Sequence, residues 1–491
     1  MKIVFLSGPY ENLGIEYLSA SLKSAGFETD IVIDPCLFSE PGFIQSDFLS
    51  RAFSLRRRVF EELARAKPEM VCISAMTDTY QWALSWAREI KSRLSVPIVL
   101  GGIHATCSPE AVMKEECFDY LCVGEGEAAI VELAQAVRQK RETSGIANIW
   151  FRLDGKIIGC APRPPAAPDS LPLPDKELYR SRYPFFKGQY LIGASRGCAL
   201  SCSYCCNSVY AEIYKGSSPL RLRTVDNVLA ELSAERPSFV HFTDEALNFD
   251  SGWFLELLEK YRRQSLPPFS CYLFPDLVDG KQAAALKKAG CVKAQLGVQI
   301  ADDEKRFRVL NRPSRLERIA NALDCLGKAG VYTVCDSLLG IPDETEEEIS
   351  ALCRFYLAHK PDANEVFFLA CYPKTPITRW AAEKGFISAP EISAVEKGLR
   401  SGGIIRPPSG LKPFSAKMAL FISAIPLLPR RFSEFVLSKR LYRFSPAGLG
   451  VCARIILRLF KHPRHDFYVS EFVKRYAYFC LLKIRLSLRF G

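Results

Sequence analysis

Two runs of short apolar segments, each alternating with helical stretches, constrain the fold of this 491-residue chain more than any other feature. The apolar segments of the first run are residues 4–6, 31–33, 71–73, 98–100 and 120–123. Short apolar strands that alternate with helices are typical of a parallel sheet covered on both faces. We therefore predict an α/β protein that begins with a doubly wound, Rossmann-like domain over residues 1–150. Such domains bind ligands beyond the C-terminal ends of their strands.

A proline-rich linker, assigned to residues 151–189, separates the two runs. Six of the residues 161–174 are proline, which lacks an amide donor and favours extended chain. The second run has six apolar segments, at residues 190–194, 239–243, 270–273, 292–298, 331–337 and 365–370. Six β/α units predict a partial (β/α)6, TIM-like barrel over residues 190–388, whose functional loops follow its strands.

The C-terminal region, residues 389–491, lacks this alternation and carries the basic charge of the chain. From residue 401 onward it has 17 Lys and Arg against 3 Asp and Glu, whereas the first 400 residues have 48 against 51. Apolar residues recur at helical spacing, as at Phe432, Phe435 and Val436. The region therefore fits a helical subdomain packed on the barrel, a patch on an anionic membrane surface, or a nucleic-acid site. We favour the first two, which are compatible, and predict no nucleic-acid partner.

The apolar stretches are too short for a membrane span. None reaches the ~18 apolar residues that a transmembrane helix needs, and the apolar run at residues 3–6 is shorter than a signal-peptide core. The segment 418–428 has the length of a helix lying in a membrane surface. We expect a cytoplasmic protein, with peripheral contact to the inner face of the membrane as the second location open to it.

Three cysteines, Cys198, Cys202 and Cys205, directly follow the first predicted strand of the barrel. Thiolates at these spacings can converge on one iron–sulfur cluster, and three ligands rather than four leave one iron open. A zinc knuckle usually has a second Cys/His pair at short spacing, and none follows here. Cys206 is adjacent to Cys205, and two neighbouring side chains rarely reach one cluster. We predict that the three cysteines ligate a 4Fe–4S cluster.

This segment resembles the signature of the radical S-adenosylmethionine (SAM) superfamily, C-x3-C-x2-C with an aromatic residue before the last cysteine. The resemblance implies that the open iron chelates SAM and that an electron from the cluster cleaves it to a 5′-deoxyadenosyl radical. Later segments resemble the SAM-binding motifs of the family, with Gln299 where many members have glutamate and Asp343 where they have glycine. The SAM-binding residues implied are Tyr204, Thr243, Asp244, Glu245, Gln299, Gly340, Ile341 and Pro342.

The strand ends of the first domain carry glycines, which let a ligand approach the backbone closely. No G-x-G-x-x-G follows the first strand, which disfavours NAD. These strand ends resemble the cobalamin-binding domain joined to many radical SAM enzymes, and the combined resemblance covers about residues 1–385. The motif D-x-H-x-x-G is missing, so we expect no histidine ligand below cobalt, and His104 is expected at the cofactor or the domain interface. The cobalamin-binding residues implied are Pro9, Ser74, Thr77, Gly101, Gly102, His104, Thr106, Gly124, Glu125, Gly126 and Glu127.

The resemblance implies a cobalamin-dependent methyltransferase that acts on an unactivated carbon of a hydrophobic or lipid-like small molecule. Ring closure or rearrangement of the oxidative cyclase type remains open, as does a cobalamin or cluster sensor without turnover. No acid or base can be assigned. No motif for a second cluster is visible, so we expect an external electron donor of the ferredoxin or flavodoxin type.

Overall fold

The computed structural model describes residues 1–39, 46–399, 413–444 and 467–489 of the chain. Its first unit is a seven-stranded sheet with the order β2-β1-β3-β4-β5-β6-β7. The strands are β1 (Lys2–Ser7), β2 (Glu28–Ile33), β3 (Met70–Ser74), β4 (Ile98–Gly101), β5 (Tyr120–Cys122), β6 (Ile149–Leu153) and β7 (Lys156–Gly159). The helices are α1 (Leu13–Ser24), α2 (Asp47–Ala52), α3 (Arg56–Arg65), α4 (Tyr80–Arg93), α5 (Ile103–Cys107), α6 (Pro109–Met113) and α7 (Glu127–Arg138).

The first five strands of this sheet are parallel, as the apolar segments predict. Their residues are almost wholly buried; Ile3, Val71 and Leu100 have no exposed surface. The strands β6 and β7 add an antiparallel hairpin that the sequence analysis does not predict. The sheet therefore continues to Gly159, beyond the domain boundary predicted at residue 150.

The second unit is a six-stranded parallel sheet with the order β15-β14-β13-β12-β11-β8, which confirms the six predicted barrel strands. The strands are β8 (Gln189–Ile192), β11 (Phe239–Phe242), β12 (Phe269–Leu273), β13 (Cys291–Gln299), β14 (Tyr332–Leu339) and β15 (Ala363–Phe368), and a separate ribbon joins β9 (Ser195–Gly197) to β10 (Leu220–Leu222). The helices of this part of the chain are α8 (Glu177–Arg180), α9 (Cys206–Ile213), α10 (Val225–Glu235), α11 (Ser251–Arg263), α12 (Gly280–Lys288), α13 (Asp303–Arg308), α14 (Leu316–Ala329), α15 (Glu346–His359), α16 (Pro376–Glu383) and α17 (Ala389–Glu396).

The two faces of the barrel strands differ in polarity. Val240, Leu296 and Cys335 belong to the apolar core that the surrounding helices cover. The alternate positions, which point inward, carry polar side chains such as Gln295 and Asp336. Because successive side chains of a strand point to opposite faces, this pattern gives an outer apolar layer and an inner polar lining.

The linker is anchored to the first unit by a buried ion cluster. Lys176 lies 2.6 Å from the carboxylate of Glu16 and 3.0 Å from that of Glu11, and these side chains are at most 1% exposed. Tyr179 and Tyr183 follow in the same apolar core. This part of the linker is therefore packed against the first unit rather than solvated.

Three helices of the C-terminal region are described: α18 (Pro413–Ala424), α19 (Arg430–Ser438) and α20 (Phe467–Arg489). The first packs on β15 and α15, and Met418 and Ile422 are fully buried there. Most of the segment 418–428 is therefore packed on the barrel and is not available to a membrane surface, whereas Leu427 near its end is 46% exposed. None of the helices in the described ranges is long and apolar enough to cross a membrane. Residues 400–412, 445–466 and 490–491 of this region lie outside the described residues.

Candidate active site between the two sheets

The cysteine loop leaves the barrel through the ribbon of β9 and β10. Gly197 at the end of β9 has φ +81°, and a Cβ atom there would lie 2.0 Å from the carbonyl oxygen of Pro219. Only glycine fits this position, because the two ribbon strands approach closely. The amide of Cys198 donates to the same Pro219 oxygen at 2.9 Å. The first predicted cluster ligand is thus fixed by the ribbon, and α9 begins directly after Cys205.

Each of the three predicted ligands accepts a hydrogen bond at sulfur. The amide of Leu200 lies 3.4 Å from Cys198 Sγ, Nδ2 of Asn207 lies 3.6 Å from Cys205 Sγ, and Nη1 of Arg312 lies 3.7 Å from Cys202 Sγ. N–H donors of this kind stabilise ligating thiolates and tune cluster potentials.

Burial raises the pKa of the Cys198 thiol to about 12. It also raises the pKa of Cys202, against the opposing charge of Arg312. Hydrogen bonding from Cys206 lowers the pKa of Cys205. No three His, Cys, Asp or Glu side chains are grouped at metal-binding distances in the described part of the chain. The fit to a cluster therefore rests on the donor set, which is three thiols in one loop with an N–H donor on each sulfur.

The residues predicted to bind SAM fall into two groups. Thr243 and Glu245 line a cavity beside Cys198. Asp244 instead faces inward, where it accepts hydrogen bonds from Ala194 and Ser195 at the start of the cysteine loop. Burial raises the pKa of Asp244 to about 6. Asp244 therefore positions the loop in this structure and does not line the cavity.

The remaining predicted SAM residues lie at the barrel mouth. Ile341 is buried in an apolar cluster with Ile300 and Leu338, and Tyr204 packs against that cluster. Gly340 donates its amide to Glu344 at 2.9 Å, and Pro342 follows Ile341 in the same turn. Gln299 ends β13 with φ +65°. This part of the predicted site is distinct from the cavity that Thr243 and Glu245 line.

That cavity has a volume of about 660 Å³ and lies between the two units. From the barrel it is lined by Cys198, Thr243 and Glu245, and from the first unit by Glu125 and Glu127. Residues predicted for SAM and residues predicted for cobalamin therefore face one space. The structure brings these two groups together although they are more than 70 positions apart in the sequence.

The loop that follows β5 is held by the barrel. Glu125 is hydrogen-bonded to Arg221, and Glu127 lies 2.6 Å from Arg196. A Cβ atom on Gly124 would lie 2.2 Å from the hydroxyl of Tyr214. Gly126, the next glycine, is also close-packed, since a Cβ atom there would lie 3.1 Å from Leu18. Gly124, Glu125 and Glu127 therefore contact the barrel, whereas Gly126 is packed against α1 of the first unit.

The loops after β3 and β4 form the rest of the predicted cobalamin edge. His104 is fully buried, its Nδ1 lies 3.1 Å from Oγ1 of Thr77, and its ring lies 4.1 Å from that of Tyr80. Burial lowers the pKa of His104 to about 4, and the backbone of Glu396 in α17 opposes that shift. His104 is therefore a buried, neutral residue beside α17, and its contact with the cofactor or the domain interface stays a prediction.

Small residues complete this edge. Thr106 is buried, donates to the carbonyl of Gly102 and accepts from the amide of Gly124, both at 3.0 Å. A Cβ atom on Gly102 would lie 2.7 Å from the carbonyl oxygen of Ala75. Pro9 is covered by Arg475, which donates to its carbonyl oxygen at 2.9 Å. Partly exposed backbone remains at Ser74 and Gly101, and Met76 beside them is 56% exposed. This open stretch without an accessible histidine fits a cobalamin that has no histidine below cobalt.

Both units match known protein families. Residues 4–134 match the B12 binding domain, and residues 192–356 match the radical SAM superfamily. The chain is a radical SAM protein with a B12-binding domain. The groups that characterise these two families are a 4Fe–4S cluster with SAM, and cobalamin.

Two relatives of this radical SAM protein have different activities in their names. It is 25% identical over 395 residues to an uncharacterized methyltransferase of Pyrococcus horikoshii, an alignment that covers 77% of this chain and 80% of the relative. It is also 25% identical over 390 residues to the anaerobic magnesium-protoporphyrin IX monomethyl ester cyclase of Rubrivivax gelatinosus, covering 74% of this chain and 66% of the cyclase.

Solved structures support the fold of this radical SAM protein. The radical SAM methyltransferase TsrM of Kitasatospora setae, with cobalamin and a 4Fe–4S cluster bound, superposes with a TM-score of 0.63 at 20% identity, over 78% of this chain and 75% of that chain. The cobalamin-dependent SAM radical enzyme OxsB superposes with a TM-score of 0.58 at 15% identity, over 78% and 56%. At these identities both likenesses show the fold alone.

Basic residues at this site that the sequence does not predict include Arg196, Arg221 and Arg312. Arg196 and Arg221 line the cavity and pair with Glu125 and Glu127 of the B12-binding domain. Arg312 contacts a predicted cluster ligand from a loop more than 100 positions further along the chain. Among these residues only Arg196 has a signal in the sequence, which is its position two residues before Cys198.

Proposed function

We propose that this radical SAM protein is a cobalamin-dependent methyltransferase that acts on an unactivated carbon. The observation that carries the proposal is the cavity shared by Cys198, Thr243 and Glu245 of the barrel and Glu125 and Glu127 of the B12-binding domain. A substrate in this space has the predicted cluster loop on one side and the B12-binding domain on the other. Holding reacting groups in such fixed geometry is the main contribution of a protein to cofactor chemistry.

In this proposal Cys198, Cys202 and Cys205 hold the cluster. Thr243 and Glu245 offer hydroxyl and carboxylate acceptors to the ammonium group of SAM. Tyr204, Gln299 and the turn 340–342 surround the rest of SAM at the barrel mouth, where the apolar cluster around Ile341 suits an adenine ring. Asp244 acts indirectly, since it holds the start of the cysteine loop.

The cofactors supply the electron that cleaves SAM and the methyl group that is transferred. Per product, one SAM gives methionine and 5′-deoxyadenosine, whose added hydrogen atom comes from the substrate, and a second SAM gives the methyl group and S-adenosylhomocysteine. Two electrons come from an external donor of the ferredoxin or flavodoxin type. The work of this chain is to orient the substrate and exclude water.

Anaerobic reconstitution tests the proposal. The protein would be loaded with iron, sulfide and hydroxocobalamin and given SAM with titanium(III) citrate, and 5′-deoxyadenosine would be measured by mass spectrometry. We expect product from the wild type and none from Cys202→Ala. Cys206→Ala is the matched control, because it removes a neighbouring thiol outside the predicted ligand set, and it should retain activity.

Failure has distinct forms in this experiment. A protein that binds a cluster but no cobalamin excludes methyl transfer by this route. A protein that binds both and forms no 5′-deoxyadenosine supports a sensor without turnover.

The cyclase relative favours a second candidate, radical ring closure or rearrangement. Both candidates share the cluster, SAM and the cavity, and they differ in the fate of the substrate. Methyl transfer adds the mass of one CH2 unit to the substrate, whereas oxidative ring closure removes hydrogen. Product mass with candidate substrates therefore decides between them.

We further propose that the substrate is hydrophobic or lipid-like with a polar group. The lining of the cavity between the two units includes the apolar side chains of Leu13, Pro165 and Ala211, which favours an apolar body. The inner face of the barrel carries Gln295 and Asp336, which favours a polar group directed into the barrel.

A basic and apolar surface on α19 supports peripheral contact with an anionic membrane. This α19 surface is defined by Leu427, Phe432, Phe435, Leu441 and Phe444, which are 37–81% exposed, with the exposed cations Arg431 and Lys439 among them. Aromatic side chains that enter the lipid interface beside cations that attract anionic headgroups are typical of peripheral membrane proteins. We therefore propose a location at the inner face of the membrane.

Flotation with liposomes tests this contact. We expect the full-length protein to float with phosphatidylglycerol vesicles and to remain soluble with phosphatidylcholine vesicles. Replacing Phe432 and Phe435 together by serine should abolish flotation. Phe48→Ser is the matched control, because Phe48 is 80% exposed on α2. Equal flotation of both variants would contradict the proposal.

A further inference from the structure

Two arginines face each other across the ribbon that leads into the cysteine loop. Arg196 of β9 pairs directly with Arg221 of β10 in the antiparallel register. Like charges at directly opposite positions of a ribbon destabilise it. The ribbon therefore depends on carboxylates from elsewhere, and these come from the B12-binding domain.

The partners of the two arginines are Glu125 and Glu127. Arg196 lies 2.6 Å from Glu127 and 3.9 Å from Glu125, and its guanidinium also lies 4.6 Å from the ring centre of Tyr17. Arg221 binds Glu125. The side chains of these four charged residues are 10–19% exposed, so the ion pairs are partly shielded from water and stronger than surface pairs.

The backbone of the same loop is also bound by the barrel. The amide of Glu125 donates to the hydroxyl of Tyr214 at 2.6 Å. Gly124 has φ +83° and leaves no room for a side chain beside that hydroxyl. The loop of residues 124–127 is therefore bound to the barrel through its side chains and its backbone.

The residues that bind the loop of residues 124–127 lie close in sequence to the cluster loop. Arg196 is two residues before Cys198, and Arg221 is two residues after Pro219, whose carbonyl oxygen accepts the Cys198 amide. The edge of the first sheet is thus connected to the first predicted cluster ligand through Arg196 and Gly197. Both ends of this connection line the shared cavity.

We propose that Arg196 and Arg221 are positioning residues that fix the B12-binding domain relative to the cluster loop. The proposal rests on the two-cofactor function proposed above. Transfer between groups held by different domains requires the reacting atoms to be held about 3–3.5 Å apart. A direct link between the two loops keeps their separation constant while the rest of the interface accommodates substrate.

Hydrogen exchange of the full-length protein tests the link without any cofactor chemistry. In Arg196→Gln we expect the amides of residues 124–127 and Cys198 to exchange about tenfold faster, the change that follows loss of one charge-assisted hydrogen bond. The double variant Arg196→Glu with Glu127→Arg should restore slow exchange, because it keeps the ion pair with reversed charges. Arg88→Gln is the control, since Arg88 pairs with Glu115 and neither residue belongs to the ribbon or to the loop of residues 124–127. Unchanged exchange in Arg196→Gln would overturn the proposal.

A spectroscopic readout separates positioning from mere stability. In the reconstituted wild type, the electron paramagnetic resonance signal of cob(II)alamin should relax faster when the cluster is reduced, and Arg196→Gln should weaken this effect while retaining both cofactors. Equal relaxation in the two proteins would overturn a positioning role. A wild type that binds no cobalamin contradicts the proposed function instead, and the exchange result still decides whether the link exists.

Should Arg196→Gln prove globally unfolded, Tyr214→Phe replaces it. That variant tests the backbone contact of the loop, since it removes only the acceptor of the Glu125 amide. Glu127→Gln accompanies it and breaks the Arg196 ion pair from the side of the B12-binding domain. We expect faster exchange at residues 124–127 in both variants, and an unchanged rate in Glu127→Gln would overturn the proposal.

Discussion

Arg312 joins the sulfur of Cys202 to the end of a central barrel strand. Its Nη1 lies 3.7 Å from Cys202 Sγ, and its Nη2 donates to the carbonyl of Gly297 at 3.1 Å. The residue is 9% exposed. A buried positive charge beside a predicted cluster ligand will affect the cluster electronically as well as structurally.

Replacing Arg312 by glutamine should lower the reduction potential of the cluster. A cation and an N–H donor beside a ligating sulfur favour the reduced, more negative cluster, so their loss favours the oxidised one. We expect a shift on the order of 60 mV, which for one electron corresponds to about 1.4 kcal/mol. A redox titration followed by electron paramagnetic resonance measures it. Arg312→Lys, which keeps the charge, should shift the potential less, and equal shifts in both variants would contradict the electrostatic explanation.

Substituting alanine for Gly197 should prevent normal cluster assembly. The new Cβ would lie 2.0 Å from the Pro219 oxygen at a φ of +81°, so the ribbon must open. We expect a loss of roughly 3 kcal/mol in the free energy of unfolding and a lower iron content.

Gly216→Ala is the control that isolates the effect of the positive φ, because Gly216 has φ +93° and no atom within 4 Å of the added carbon. It should cost about 1 kcal/mol. Urea denaturation and iron analysis compare them, and similar losses would show that the close contact is not decisive.

The strands were predictable because burial on both faces gives continuous apolar segments, as in β1 and β4. The hairpin of β6 and β7 was missed although Asp154 and Gly155 lie between two apolar runs. Both residues have positive φ, at 49° and 74°, as a two-residue hairpin turn requires. The prediction failed because the residues of β7 are exposed. This strand therefore lacks the continuous buried apolar segment by which the parallel strands were identified.

The predicted site is harder to derive, because its polar partners come from distant parts of the chain. Cys198 could be found from spacing alone, but its neighbours Arg312 and Glu125 could not, since neither has a local pattern. Asp244 shows a second limit of a sequence motif. Its position in a motif predicts a ligand contact, whereas in the structure its carboxylate holds backbone and hydroxyl donors of the cysteine loop. A motif gives the location of a residue and leaves open which way its side chain points.

Removing Lys176 should destabilise the protein strongly. Lys176 neutralises one of two carboxylates, Glu11 and Glu16, that are buried with it. Lys176→Met leaves both carboxylates without a cation in the interior, which typically costs about 3–5 kcal/mol. Chemical denaturation measures the loss. Lys23→Met is the control, because Lys23 is 45% exposed in its ion pair with Asp175. A loss as small as that of the control would mean that the carboxylates are protonated in the folded protein.

Asp336 should make the stability of the protein fall as the pH rises from about 4 to about 7. Burial raises the pKa of this carboxyl to about 7, with a further increase from Glu365, against the opposing hydrogen bond from Gln295. In that interval the folded protein retains a proton that the unfolded chain has released, so increasing pH favours unfolding. Asp336→Asn removes the ionisation and keeps the acceptor for Gln295, so at pH 8 it should be more stable than the wild type by about 4 kcal/mol. At pH 4 the two proteins should be equally stable.

Urea denaturation from pH 4 to pH 8 measures the difference in stability, with Asp226→Asn as the control for an exposed carboxylate. A variant that is equally stable at pH 4 and less stable at pH 8 would show that the ionised carboxylate is stabilised inside the barrel.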